Sequence, residues 1–123
     1  MQRKEITVLG LGYIGLPTAV VMARAGHHVK GYDAKREVRE SLRKGKIHIT
    51  ESHLQEAFTE AADRRCLEIA ESVENSDVYV ICVPTPFCEA EKGKTADLSF
   101  VEAAAKEVAG VLKRGDLVIL EST

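Results

Sequence analysis

The stretch ITVLGLGYIG, Ile6 to Gly15, decides the fold. ITVLG, residues 6–10, is an apolar, β-branched run that reads as a buried first strand. GLGYIG, Gly10 to Gly15, then sets glycines at the first, third and sixth positions. Glycines are common in turns, so that spacing alone is a weak signal. Its place is informative: the motif leaves a strand and opens a helical pattern from Ile14 to about Ala25.

Further along the chain, short apolar runs alternate with helical periodicity. Gly26 closes the first helix at the C′ position, which favours glycine. HVKGYD (28–33) is the second strand. KREVRESLRKGK (35–46) is a helix with Val38 and Leu42 on one face and Glu40 spaced to pair with Lys44. SHLQEAFTEAADR (52–64) is another, with Leu54, Phe58 and Ala61 on one stripe; Ser52 and Gln55 have the reciprocal-cap spacing. CLEIA (66–70) and VYVICV (78–83) are the third and fourth strands, followed by a polar loop from Pro84 to Asp97. Ser99 with Glu102 opens the last helix, to about Lys113, and DLVILE (116–121) is the fifth strand. Strands that are apolar throughout belong to parallel sheets covered on both faces. The pattern predicts an α/β fold: a Rossmann-like, doubly wound parallel sheet with strand order 3-2-1-4-5.

In that context each glycine has a physical task. Gly10 permits a tight turn, Gly12 lets a pyrophosphate approach the backbone, and Gly15 lets the helix pack closely on the strands. Free amides at the helix start, aided by the macrodipole, point at the phosphates. Pro17 in the first turn has no intrahelical bond to lose. Asp33, 18 residues beyond Gly15, ends the second strand. A carboxylate there accepts both adenosine ribose hydroxyls and repels a 2′-phosphate, which favours NAD over NADP. Lys35 and Arg36 leave NADP open, since a phosphate can use them. The structural alternatives are plain turn geometry for the glycines and a helix N-cap for Asp33.

A length of 123 residues suits one domain, and 45% hydrophobic with 29% charged residues is the composition of an ordinary soluble globular protein. The net charge of -2 gives no reason to expect a nucleic acid or an anionic membrane as partner. The apolar runs are too short to span a bilayer, and the start MQRKEITVLG has no cleavable signal, which makes the cytoplasm the expected compartment. Cys66, Cys82 and Cys88 form an odd set without framework spacing, as in a reducing compartment. His27, His28, His48 and His53 form no zinc pattern, so no metal is expected.

Ligands of doubly wound sheets bind at the carboxyl ends of the strands flanking the switch point. ICVPTPF delivers Thr85 there, with Pro84 and Pro86 stiffening its backbone. Glu121 and Thr123 leave the fifth strand at the same edge. The loop carrying Glu89, Glu91, Lys92 and Lys94 is either a cleft rim or a solvated loop. Cys82 and Cys66 read as core, and Cys88 has no histidine near it in sequence to activate it. The basic run of the second helix reads as a solvated face.

GLGYIGLPTA, GYD, the G-x-I-H-I-x-E segment at Gly45 to Glu51, VPTPF and DLSFVEAAAKEVAGVLKRGDLVILEST together resemble the N-terminal cofactor domain of the UDP-glucose/GDP-mannose dehydrogenase family. VPTP and the Glu121 before Ser-Thr are similar to its N-acetylhexosamine branch. The resemblance implies oxidation of the C6 hydroxymethyl of a nucleotide sugar, UDP-N-acetyl-D-mannosamine first, to a carboxylate by two NAD and water. The route it implies is a hydride transfer to an aldehyde, capture by a cysteine, a second transfer to a thioester, and hydrolysis. It also implies that Tyr13, Ile14, Asp33, Thr85 and Thr123 contact NAD, that Thr123 lies near the catalytic water, and that Glu121 lies at the nicotinamide edge. A family Glu-Pro-Gly-Leu stretch is ESHL here, Glu51 to Leu54. Some members carry a basic residue where this chain has Val38; Lys35, Arg36 and Arg39 are the nearby cations.

The family's nucleophilic cysteine, acid/base lysine and sugar domain lie downstream of this stretch. Residues 1–123 are therefore expected to be one NAD-binding domain of a longer enzyme, homodimeric when whole and inactive in this piece alone. UDP-N-acetylglucosamine and UDP-glucose are alternative substrates within the family. A free-standing dinucleotide sensor is the alternative outside it; the glycines and Asp33 suit a sensor equally, VPTPF and EST do not. Without a following helix, Leu117 to Leu120 are expected to lie exposed and to promote association.

Overall fold

A computed structural model describes residues 2–90 and 93–122. In chain order its elements are β1 (Glu5–Leu9), α1 (Gly15–Arg24), β2 (His28–Tyr32), α2 (Arg36–Arg43), α3 (Leu54–Asp63), β3 (Leu67–Ile69), β4 (Val78–Ile81), β5 (Phe87–Ala90), β6 (Gly93–Ala96), α4 (Ser99–Ala109) and β7 (Leu117–Leu120). The main sheet has the order β3-β2-β1-β4-β7 and is parallel throughout, as expected, with β7 as its fifth strand.

Side chains alternate across this sheet. Ile6, Val8 and Val80 enter one core with Leu16, Val20 and Phe58 of α1 and α3. Leu9, Tyr79 and Ile81 enter a second core with Ala104 and Val108 of α4. Helices thus cover both faces, and each fully buried aliphatic or aromatic side chain contributes about 1.5–3 kcal/mol. Gly26, at φ +104°, ends α1 in the left-handed conformation.

The register determines where a ligand can sit. Leu9 is level with Tyr32 and Ile81, and Ile81 with Leu120. The next residues, Gly10, Asp33, Cys82 and Glu121, therefore leave the sheet side by side at one edge. At the opposite end, the helix-free link from β3 to β4 is pinned by polar contacts. Thr7 and Ser76 share a buried 2.6 Å hydroxyl bond, and the Tyr79 hydroxyl accepts from the Ser76 amide at 2.8 Å.

Several local expectations fail, each for a visible reason. The polar loop after β4 contains an antiparallel ribbon, with Phe87 opposite Ala96 and Cys88 opposite Thr95. Gln55 makes no cap with Ser52; it donates to the Gly45 carbonyl (2.9 Å) and accepts from the Ile47 amide (3.1 Å). The residue before α3 is His53, at φ +65°, in the left-handed conformation, where the family stretch has glycine. Asp97, not Glu102, serves the start of α4: its carboxylate accepts from the Ser99 amide at 2.9 Å, which holds it below the usual carboxylate range. Glu40 pairs with Arg36 at 2.8 Å rather than with Lys44.

The basic run of α2 is only partly a solvated face. The Arg39 side chain is 12% exposed, lies over the Tyr32 ring, and donates to the Asp33 carbonyl at 2.8 Å. Glu71 pairs with Arg43 and Arg39, and that of Arg43 most of all holds its carboxyl below the ordinary value.

Leu117 and Leu120 of β7 are 53% and 56% exposed, and Val118 and Ile119 are exposed as well. The chain is expected to self-associate as its concentration rises, which sedimentation velocity would read as a growing weight-average mass. A single monomeric boundary across the range would remove that expectation.

Candidate functional site

The turn after β1 shows why its residues are glycines. Gly10 sits at φ +94°, and a Cβ there would lie 2.8 Å from the Cys82 carbonyl carbon. A Cβ on Gly15 would lie 1.6 Å from the Gly10 carbonyl oxygen, so the first turn of α1 rests directly on the loop. A Cβ on Gly12 would meet nothing within 4 Å. Two of these glycines are demanded by packing. The third faces open space.

That space is a cavity of about 510 Å³, within the range of small-molecule sites. Gly10, Gly12, Tyr13 and Ile14 line it from the turn, Asp33 from β2, Thr85 from the segment after β4, and Glu121 from the end of β7. Gly15 lies beneath the turn, buried, and is not in the lining. Tyr13 is 69% exposed. Thr123 lies outside the described residues, as do Glu91 and Lys92 of the suggested rim.

Asp33 is fixed from two sides. One carboxylate oxygen accepts from the Leu11 amide of the glycine turn, and the other from the Lys35 amide ahead of α2, both at 2.9 Å. The ribose reading and the helix-capping reading of this residue are therefore compatible, because a carboxylate offers about four acceptor positions. Of the three nearby cations, Lys35 lines the cavity; Arg36 and Arg39 are engaged with Glu40 and with the Asp33 backbone.

Several cavity residues were not anticipated from sequence. His48 and Ile49 form part of the wall beside Asp33, and Phe100 reaches it from the first turn of α4. The signal for the first two was the Gly45–Glu51 segment; for Phe100 it was an aromatic on an outward helix position, 43% exposed. Thr18 of α1 was also missed. Its hydroxyl lies 3.2 and 3.3 Å from the two Glu121 carboxylate oxygens and donates to them.

Cys82 is buried as expected, yet it also lines the cavity floor, with its sulfur 3.7 Å from Glu121. Burial first, and then the Glu121 carboxylate, pushes its thiol up to about 12. The thiol therefore stays protonated at neutral pH. Relative to a thiol of ordinary pKa 9, alkylation of Cys82 by iodoacetamide at pH 7 is expected to be roughly a thousandfold slower, in proportion to thiolate. Exposed Cys88 should be modified first, and Glu121→Gln should speed Cys82. Mass mapping of a time course checks this; equal rates at both cysteines would contradict it.

Residues 4–123 match the model of the NAD binding domain of the UDP-glucose/GDP-mannose dehydrogenase family. The chain is 45% identical over 120 residues to an NDP-N-acetyl-D-galactosaminuronic acid dehydrogenase of Ralstonia nicotianae, covering 98% of this chain and 28% of that protein. It is 44% identical to the UDP-N-acetyl-D-mannosamine dehydrogenase of Pyrococcus horikoshii, over 97% of this chain and 28% of the other. Among solved structures it is similar to the UDP-N-acetyl-mannosamine dehydrogenase of Staphylococcus aureus, with a TM-score of 0.91 and 39% identity, covering 97% of this chain and 29% of that one. The chain thus spans little more than a quarter of these relatives' lengths. The glycine turn, Asp33 and the level strand ends belong to a match that runs nearly end to end, and the chain is a member of the UDP-glucose/GDP-mannose dehydrogenase family, corresponding to its NAD-binding domain.

Proposed function

We propose that residues 1–123 act as one domain that holds NAD for a nucleotide-sugar 6-dehydrogenase, with UDP-N-acetyl-D-mannosamine as the substrate. The observation that carries this reading is a single cavity joining the glycine turn, Asp33 and the ends of β4 and β7. The residues fit the cofactor. Gly12 leaves room above the turn, Asp33 keeps acceptor positions beyond its two amides, and α1 points its amino end at the same space.

Bound there, NAD supplies the hydride acceptor. The chain's own residues bind and orient it: Gly10, Gly12, Tyr13 and Ile14 at the pyrophosphate, Asp33 at the adenosine ribose, Thr85 and Thr123 toward the nicotinamide. Glu121 stands at the nicotinamide edge, and Thr123 supports the water that ends the reaction. Cys82 is held protonated and exposed Cys88 has no histidine near it in sequence, which supports a covalent step on a part of the enzyme outside these 123 residues. The relatives' much greater length, of which this chain covers 28%, supports that division. The exposed β7 supports burial against further chain in a homodimeric enzyme, and three free cysteines support a cytoplasmic setting.

Calorimetric titration of the chain with NAD and NADP tests the binding half. Saturable NAD binding with weaker NADP binding is expected, and a clear NADP preference overturns the role given to Asp33. The catalytic half predicts no absorbance rise at 340 nm with UDP-N-acetyl-D-mannosamine and NAD; turnover by this chain alone would refute it.

A further inference from the structure

Glu121 presents an unusual charge. It is the first residue beyond β7, its amide donating to the Ile81 carbonyl at 2.9 Å, and its side chain lines the cavity. The two groups on its carboxylate are neutral: the Thr18 hydroxyl and the protonated Cys82 thiol. No ion pair among the described residues includes it. The carboxylate is held in place by the Thr18 hydroxyl of α1, and among the described residues no cation pairs with it.

Topology fixes which part of a dinucleotide meets that charge. Asp33 follows β2 on one side of β1, while Glu121 follows β7, beyond β4 on the other. With the adenosine ribose at Asp33 and the pyrophosphate over the glycine turn, the remaining nucleoside runs toward β4 and β7. Its ring is cationic in the oxidised cofactor and neutral in the reduced one. The rest of the molecule is the same in both.

We infer that Glu121, positioned by Thr18, makes the cleft discriminate the redox state of its cofactor, favouring NAD⁺ over NADH. This rests on the cofactor reading above. Two unit charges separated by about 6 Å at an intermediate dielectric of about 40 correspond to a preference on the order of tenfold, the size expected were the ring to bind at such a distance. In a reaction that uses two NAD⁺ per sugar, the preference favours release of the reduced cofactor between the two hydride transfers. Thr18 acts only through Glu121 and is a positioning residue.

The test is calorimetry of NAD⁺, NADH and ADP-ribose on the wild-type chain and on Glu121→Gln, Thr18→Val and Thr18→Ser. The wild type should bind NAD⁺ about tenfold more tightly than NADH, and Glu121→Gln should bring that ratio near one. ADP-ribose, which lacks the ring, should bind both equally well. Thr18→Val should lower the ratio in part and Thr18→Ser restore it, a pattern that loss of packing would not produce. A ratio unchanged in Glu121→Gln, with all three ligands still bound, overturns the inference and leaves the cofactor reading intact. So does an equal shift in ADP-ribose affinity, which would put the charge on the pyrophosphate. Failure of the folded wild type to bind any of the three ligands overturns the cofactor reading and this inference together.

Discussion

Gly15→Ala is expected to cost the chain about 3–5 kcal/mol of stability, which is a large share of the roughly 5–15 kcal/mol typical of a domain. A methyl group 1.6 Å from the Gly10 carbonyl oxygen can be accommodated only by lifting the first turn of α1 off the loop. That movement opens the core contacts of Leu16 and Ala19, both fully buried. Urea unfolding should show a much lower midpoint or no cooperative transition. Gly12→Ala gives the opposite separation. Its Cβ meets nothing, so stability should stay within about 1 kcal/mol of wild type, since replacing glycine also restrains the unfolded chain. NAD affinity should nevertheless fall about 10- to 100-fold, by 1.4–2.8 kcal/mol, because the methyl stands where the pyrophosphate approaches. Gly12→Ala binding NAD as the wild type does would displace the phosphates from this turn. Gly15→Ala unfolding at the wild-type midpoint would deny the contact that the backbone geometry requires.

The contrast between these glycines also shows how far sequence can be read. Strands buried on both faces announce themselves as apolar runs, as β1 and β4 do; β7 carries the same kind of run although its residues lie exposed, and so these strands, with β2, and their order were legible. The ribbon β5–β6 was not, because Phe87 and Cys88 are exposed and no buried face imposes a period. Polar pairings failed for a related reason. Gln55 had a local partner at good spacing and took the Gly45 carbonyl, which the folded chain brought closer, while Glu40 stood four residues from a cation on either side, and spacing alone did not choose Arg36 over Lys44. Arg39 shows the same effect at long range. Its guanidinium pairs with Glu71, 32 residues away, and braces the backbone of Asp33, which no helical periodicity reveals. In the cleft, motif residues were legible because glycine and aspartate have few substitutes there. Phe100 and Thr18 were not, since their roles depend on which strand ends come to lie beside them.

Asp33→Ala is expected to lower NAD affinity about 100-fold, and the reason lies in how its four acceptor positions are divided. Two accept the Leu11 and Lys35 amides at 2.9 Å, leaving two for the ribose hydroxyls. Hydrogen bonds to a charged group are worth about 1.5–3 kcal/mol each, so losing both to the ribose gives a factor of that order or above. The variant should also lose about 1–3 kcal/mol of stability, because the part-buried Leu11 amide is left without its acceptor. NADP should behave differently. The substitution removes the charge that repels a 2′-phosphate while Lys35 remains in the cavity wall, so NADP affinity should hold or rise and the NAD preference should disappear. Asp33→Asn separates the two roles. An amide keeps one acceptor for a backbone N–H but sets its NH2 against the other, so it should recover part of the stability and little of the NAD affinity. Titrations with both cofactors, alongside urea unfolding of each variant, resolve the pattern. If stability falls while the affinities for NAD and NADP keep their wild-type ratio, Asp33 is only the clasp between the glycine turn and α2, and the discrimination must come from elsewhere in the wall.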